Sequence, residues 1–368
     1  MELPAISVII PMYNVEKYIG ECLDSLLNQT FQNFEVVVVD DCSTDNSVAI
    51  AESYKPKFGG RMKIASMEEN SGFGGFPRNR GIELAHGEYI SFLDSDDTFT
   101  PTAFEELYPI AKDFDADVVV CEKYYQIPDK FWHNAKARAK IQPVSYKKGE
   151  FVDRPTLLEN DLEKRTVKLV QRFFMWNIWS RLFKRDFIIE NVIKMPSIPG
   201  EDAVFTICTL SIAQRCVVVP NVINYYRIRE NSVSTEKMDV EKNIRKWLRA
   251  LILGFEYIDA FLSKRKIFSE RRDLKYMLLN LFAQEMFIYF SDVYTQLPAY
   301  ALYEILRDEF DKHDTPALTP FIFSAMNVYR LKASQDIQRI AELEKTERED
   351  KAYIAELEKA VTQLLNKE

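Results

Sequence analysis

The sequence predicts an α/β protein, in which a mainly parallel sheet flanked by helices precedes a helical region and a C-terminal helix of coiled-coil pattern. Three observations carry this. Strand and helix signals alternate over the first 125 residues. From Asp239 onward, apolar residues such as Trp247, Leu251, Phe255, Ile258 and Leu262 recur at helical spacing. The hexapeptide Ile-Ala-Glu-Leu-Glu-Lys stands at 340–345 and again at 354–359, two heptads apart. Alternating strands and helices build a parallel sheet covered by helices, and a two-heptad repeat builds a coiled coil. The expected boundaries are 1–235, 236–330 and 331–368.

Ala5–Ile10 is a short apolar strand, and Val15–Asn28 places Tyr18, Cys22, Leu23, Leu26 and Leu27 on one helix face, with Asn14 available as its cap. Phe34–Val39 is a β-branched run, and Ser43-Thr44-Asp45 offers caps for a helix over Asn46–Phe58. A strand at Arg61–Met67, a helix at Pro77–His86 and a strand at Glu88–Leu93 follow. Thr100-Pro101 opens a helix that Pro109 should kink or split, because proline removes a helical hydrogen bond. Asp117–Cys121 is a further strand. Residues 126–165 read as an irregular insertion that could hold a hairpin. Beyond them come a helical Thr166–Phe174, an aromatic stretch Trp176–Phe183, a helix from Glu201, and strands near Cys216–Val219 and Asn224–Ile228. Met277, Leu281, Phe282, Met286 and Phe290 form another helical stripe, either packing on the sheet domain or facing a membrane or lipid-linked acceptor. In the tail, Ile340, Leu343, Ile354, Leu357, Val361 and Leu364 fit a and d positions, with polar Glu347 and Asp350 between; a solvated single helix is the alternative.

The 368 residues carry a formal net charge of −8 and a pI near 5.3, which argues against a nucleic-acid partner. Cys22, Cys42, Cys121, Cys208 and Cys216 show no paired spacing and suit reduced thiols in the cytoplasm. His86, His133 and His313 are too scattered for a zinc cluster. Met1-Glu2-Leu3-Pro4 leads directly into a strand, so no signal peptide is expected, and no apolar run reaches the roughly 20 residues of a membrane span.

The chemistry concentrates at Asp94-Ser95-Asp96-Asp97, directly after the apolar run Tyr89–Leu93. Three carboxylates this close disfavour one another's ionisation, and a cation would relieve them. Oxygen-only ligands suit Mg²⁺ or Mn²⁺, with substrate phosphates completing the shell. An acidic turn with Asp97 or Thr98 as a helix cap is the alternative. A second acidic pair, Asp40-Asp41, ends the preceding strand, and ligands of parallel sheets bind beyond the carboxyl ends of the strands.

At Pro11-Met12-Tyr13-Asn14, Val39 to Asp45, Asn70 to Gly81 and Phe92–Asp97 the chain resembles the inverting family-2 glycosyltransferases, whose GT-A fold is a Rossmann-like sheet flanked by helices. The resemblance extends over roughly residues 5–235 and points to bacterial surface-polysaccharide or teichoic-acid members. It implies a nucleotide-sugar donor, a UDP-sugar first, and a glycan, polyol-phosphate or lipid-linked acceptor. By resemblance, Pro11 and Tyr13 line the base pocket, and Asp41, with Asp40, accepts a hydrogen bond from the base; an ionised carboxylate can take an imide N–H. Capping of the next helix is the alternative for the pair. Position 42 is usually glycine in the family, whereas here it is Cys42, which tolerates positive φ poorly.

The same resemblance assigns Asn70 and Arg78 to the donor, an arginine fork suiting phosphate oxygens. It makes Asp96 the direct Mn²⁺ or Mg²⁺ ligand and gives Asp94 the ribose or a metal-bound water, with Ser95 beside them. Glu201-Asp202, after Pro199-Gly200, matches a Glu-Asp pair whose aspartate deprotonates the acceptor; burial against Trp176 and Trp179 would raise its pKa. Both acids would also complement the helix dipole with no catalytic role. Arg227, Arg229, Ser232 and Ser234 match a segment closing over the diphosphate, where an ordinary strand edge is the competing reading. Hexosyl or N-acetylhexosaminyl transfer at the inner face of the plasma membrane, by an oligomer joined through the tail, completes the expectation. A nucleotidyltransferase lacks the lysine-bearing glycine-rich loop, and a scaffold with an inactive transferase domain sits poorly with Asp94, Asp96 and Asp202 all present.

Overall fold

The computed structural model describes residues 3–145, 150–171, 173–229 and 239–288, with 304–305, 307–309 and 312. Ser232, Ser234, Phe290 and the heptad positions from Ile340 to Leu364 lie outside the described residues. The chain divides into two compact units, Met1–Tyr289 and Phe290–Glu368.

The strands are β1 (Ile6–Met12), β2 (Phe34–Asp40), β3 (Met62–Ser66), β4 (Tyr89–Phe92), β5 (Thr98–Phe99), β6 (Val118–Cys121), β7 (Tyr125–Pro128), β8 (Thr156–Leu157), β9 (Arg181–Lys184), β10 (Cys216–Val219) and β11 (Asn224–Ile228). Eight of them form one sheet in the order β3-β2-β1-β4-β9-β6-β10-β8. Pairing is parallel from β3 through β4 and between β6 and β10; β9 runs antiparallel to both β4 and β6, and β8 antiparallel to β10. β5, β11 and β7 make a small second sheet. The expected mainly parallel sheet is therefore present. The insertion expected to hold a hairpin instead contributes β7 and β8 to different sheets, among the described residues.

Continuous apolar runs make the central strands, because both faces are covered: every residue of β2 is buried. One face packs on Ile19, Cys22, Leu23 and Leu26 of the helix Ile19–Leu27 and on Phe104, Leu107 and Ala111 of the helix Ala103–Asp113. The latter helix continues through Pro109 rather than splitting; the proline is exposed, where water can satisfy the carbonyl it orphans. The opposite face of β1 carries the helix Gly75–Leu84. A Cβ at Gly81 would stand 2.3 Å from the Ile9 side chain, so glycine lets that helix lie close enough to aim its residues at the strand ends.

Helix Glu201–Ile212 is buried from Ala203 to Ser211, matching its apolar composition on all sides. The helix from Asp239 is also as expected: it spans Val240–Ser263, and the Asp239 carboxylate accepts from the Lys242 amide at 3.1 Å. Arg272–Ile288 packs beside it within the first unit. Among the described residues, no helix is long and apolar enough to cross a membrane.

Candidate active site

Because β1, β2 and β4 are parallel, Tyr13, Asp40-Asp41 and Asp94 emerge at one rim of the sheet. Neither acid after β2 caps the following helix. Asp40 accepts from the Ser43 amide at 3.2 Å, closing a local turn. Asp41 accepts from the Ser71 amide at 2.9 Å and the Ser71 hydroxyl at 3.0 Å, while Asn70 Nδ2 donates to the Asp41 carbonyl at 2.8 Å. Asp45, one residue before the N-cap Asn46, takes the Ser47 amide at 2.9 Å. Asn14, expected to cap its own helix, instead accepts from the Thr44 amide at 2.7 Å and so joins the ends of β1 and β2. Cys42 adopts the left-handed region at φ 66°. Tyr13 is 47% exposed, leaving a ring face open beside these acids.

At the end of β4 the three carboxylates take different partners. Asp94 Oδ1 accepts from Arg78 Nη2 at 2.6 Å, and Asp96 Oδ2 from Arg229 Nε at 2.5 Å. Asp97 Oδ1 accepts from the Arg227 amide at 2.8 Å, and its Oδ2 is buried without a hydrogen-bond partner. Burial, together with Asp96 and Asp94, pushes the Asp97 carboxyl well up. Burial likewise raises Asp96, against the pull of Arg229. Ser95 is buried between them.

Arg227, in β11, and Arg229, one residue beyond its end, do different things. Arg229 reaches Asp96. The Arg227 guanidinium is engaged by Glu21 at 2.5 Å and Asp129 at 3.2 Å and lies 3.8 Å from the Trp132 ring centroid. Arg227 thus ties the small sheet to the rim through its amide on Asp97, and its fork is turned to protein partners. Glu21, Asp129 and Trp132 carry no sequence signal for this; tertiary packing alone makes them neighbours.

The acids at the start of the Glu201 helix complete the site. Arg78 Nη1 donates to Glu201 Oε1 at 2.7 Å and stands 3.9 Å from Asp202 Oδ1. Burial raises both carboxyls while Arg78 lowers them; Asp202 ends at about 7. Asp202 Oδ1 is buried and has no hydrogen-bond partner, although the side chain as a whole is 24% exposed. Arg181, at the start of β9, is fully buried; it donates to Thr206 Oγ1 at 2.8 Å, one turn beyond Asp202, and Thr206 donates to the Trp176 carbonyl at 2.9 Å. The Trp176 indole N–H in turn donates to Glu285 at 2.9 Å. Trp179 stacks on Tyr226 at 5.6 Å in a neighbouring aromatic cluster.

A mainly parallel sheet with acids at its carboxyl rim, faced across a buried arginine by a buried aspartate, has the arrangement of a glycosyltransferase of the GT-A class. Residues 7–171 match the family described as Glycosyl transferase family 2. The chain is 32% identical over 277 residues to the putative glycosyltransferase EpsH of Bacillus subtilis (strain 168), covering 74% of this chain and 73% of that protein. It is 32% identical over 231 residues to the poly(ribitol-phosphate) beta-glucosyltransferase of Bacillus spizizenii, covering 61% of this chain but only 32% of that longer enzyme. Among solved structures, S. aureus TarS 1–349 in complex with UDP-GlcNAc superposes with a TM-score of 0.60 at 25% identity, covering 83% of this chain and 80% of that one. The chain belongs to glycosyl transferase family 2 and is a glycosyltransferase.

Proposed function

We propose that this chain transfers a hexosyl or N-acetylhexosaminyl group from a UDP-sugar to a hydroxyl of a polyol-phosphate or related surface glycan, inverting the anomeric carbon. One observation supports it above the rest: Asp202, raised to about 7 by burial, has an Oδ1 that makes no hydrogen bond and lies 3.9 Å from Arg78, across that arginine from Asp94. A base with a pKa near the working pH is suited to take a hydroxyl proton. The acceptor oxygen then bonds to the anomeric carbon from the face opposite the diphosphate, the glycosidic bond to the diphosphate breaks, and its electron pair leaves on the diphosphate oxygen. Pro11, Tyr13, Asp40, Asp41 and Asn70 hold the nucleoside, and Arg229 and Asp94 border the diphosphate.

Asp96 and Asp94 fit Mn²⁺ or Mg²⁺ as a partial shell. Both are hard oxygen donors, and their side chains remain 17% and 27% exposed. Among the described residues no group of three or more metal-binding side chains converges, so the donor's phosphates would complete the shell. When bound, the cation supplies positive charge against the leaving diphosphate. In this reading residues 1–235 form the transferase domain, 236–330 a helical subdomain, and 331–368 associate copies of an enzyme working at the cytoplasmic face of the membrane. The relatives' polyol-phosphate substrates and the bound UDP-GlcNAc of TarS favour donor and acceptor of these classes.

The test is a panel of UDP-, GDP- and dTDP-sugars with poly(ribitol phosphate), the product's anomeric configuration being read by NMR. Turnover of a UDP-sugar with Mn²⁺ and inversion is expected. Retention, or turnover of GDP-sugars alone, overturns the reading.

A further inference from the structure

We infer that Arg78 is a positioning residue, an ion-pair bridge that fixes the base carboxylates against the donor-side acid, and not a direct ligand of the donor. Its two terminal nitrogens reach groups from opposite sides of the site. Nη2 takes Asp94 at 2.6 Å, at the end of β4; Nη1 takes Glu201 at 2.7 Å and approaches Asp202 at 3.9 Å, at the start of a helix more than 100 residues away. The side chain is 6% exposed, so a diphosphate arriving from solvent meets the acids before it meets the guanidinium. An arginine fork holds two carboxylates in a fixed mutual geometry, which a lysine's single point charge cannot do.

The backbone is shaped around this bridge. A Cβ built on Gly74 would lie 2.3 Å from Arg78 Nη1 and 3.2 Å from Glu201 Oε1, so any side chain there would displace the guanidinium from Glu201. Gly74 has φ −69° and ψ −9°, a conformation open to every residue. Room for the bridge is what requires glycine at 74, and the backbone angle does not. Two further contacts hold the same seam: Asn79 and the Met195 backbone exchange hydrogen bonds at 2.7 and 2.9 Å, and Ser197 Oγ donates to the Ser71 carbonyl at 2.6 Å. The segment leading to Glu201 is thereby docked on the loop and helix that carry Arg78, and Arg78 joins the two at their reactive end.

The inference rests on Asp202 as base, and the test keeps the two apart. Gly74→Ala retains every charged group and moves only the fork, while Arg78→Lys retains the charge and loses the bidentate bridge. In both, UDP affinity measured by calorimetry with Mn²⁺ should stay within about threefold, and kcat should fall by roughly 10- to 100-fold, the cost of small misplacement of reacting groups. Glu201→Gln combined with Gly74→Ala should lower kcat no further than the worse single change, because both act through one bridge. A Gly74→Ala enzyme with wild-type kcat overturns the bridge and leaves the proposed function standing; so does a variant pair whose KM for the donor rises while kcat holds. If the wild type turns over no nucleotide sugar, the base assignment fails, and thermal unfolding decides the bridge alone: a Gly74→Ala/Glu201→Gln cycle that is additive in stability overturns it, and a non-additive one supports it.

Discussion

The end of β2 on the donor rim and the Glu201–Asp202 corner both present carboxylates, yet the protein treats them in opposite ways. On the rim, Asp41 takes two donors from Ser71 and Asp40 takes the Ser43 amide. These acids are fixed by hydrogen bonds from Ser43 and Ser71, in the loops that follow β2 and β3. At the corner, Asp202 Oδ1 is buried with no hydrogen bond, near one arginine it shares with Glu201 and Asp94. Satisfied acids bind; an acid left unsatisfied in a poorly hydrated place holds its proton more tightly and can move it. In the proposed function the two regions thus divide recognition from chemistry, and each should break alone.

The largest effect is expected at the corner. Asp202→Asn keeps size and removes the proton acceptor, so kcat should drop by roughly 10²–10⁴, the usual contribution of a positioned base, while UDP affinity stays within a few-fold. Near-normal turnover would remove Asp202 from its role. The pH profile follows the same logic. A base must be ionised, and Asp202 ionises at about 7, so kcat should climb with pH below 7 and level off above it. That limb should vanish from the residual rate of the variant.

A linked outcome concerns stability. Burial raises the folded-state pKa of Asp202 above the ordinary carboxylate range, so ionising it withdraws stability as pH rises from about 4 to about 7. Asn carries no charge to desolvate. Asp202→Asn should therefore melt higher than wild type at pH 8, with the advantage fading toward pH 4. An unchanged difference across that range would mean that the buried charge is not the cost.

The rim should answer differently. Asp41→Ala should weaken UDP binding by roughly tenfold, the scale of one hydrogen bond to a charged group, with kcat at saturating donor little altered. A loss confined to kcat would collapse the distinction between the two regions.

The difference between regions also explains what the sequence reveals. The rim is legible because its acids directly follow the apolar runs of β2 and β4, and parallel strands must bring those ends together. The Glu201 helix is legible from its composition. The pairing of charges is not: nothing in the sequence brings Glu201 and Asp94 to the two terminal nitrogens of Arg78, or Glu21, Asp129 and Trp132 to the Arg227 guanidinium. β9 escapes detection for a related reason. Its four residues, Arg-Leu-Phe-Lys, are charged at both ends, and only the gap between β4 and β6 makes them a strand.

The smallest effect sharpens the comparison most gently. Cys42 sits in the left-handed region at φ 66°, where a side chain costs roughly 1–2 kcal/mol that glycine avoids. Glycine gives part of that back through the freer unfolded chain, about 0.4–1 kcal/mol. Its Sγ lies 3.4 Å from the Met67 carbonyl, a weak thiol contact that would be lost. The balance favours Cys42→Gly by about 0.5 kcal/mol in urea unfolding. Because neither Asp40 nor Asp41 uses the Cys42 side chain, UDP affinity and the pH limb of kcat should both be unchanged. A destabilised variant would show that the thiol contact outweighs the strain. A shifted pH limb would show instead that rim and corner are coupled through the loop, against the division drawn here.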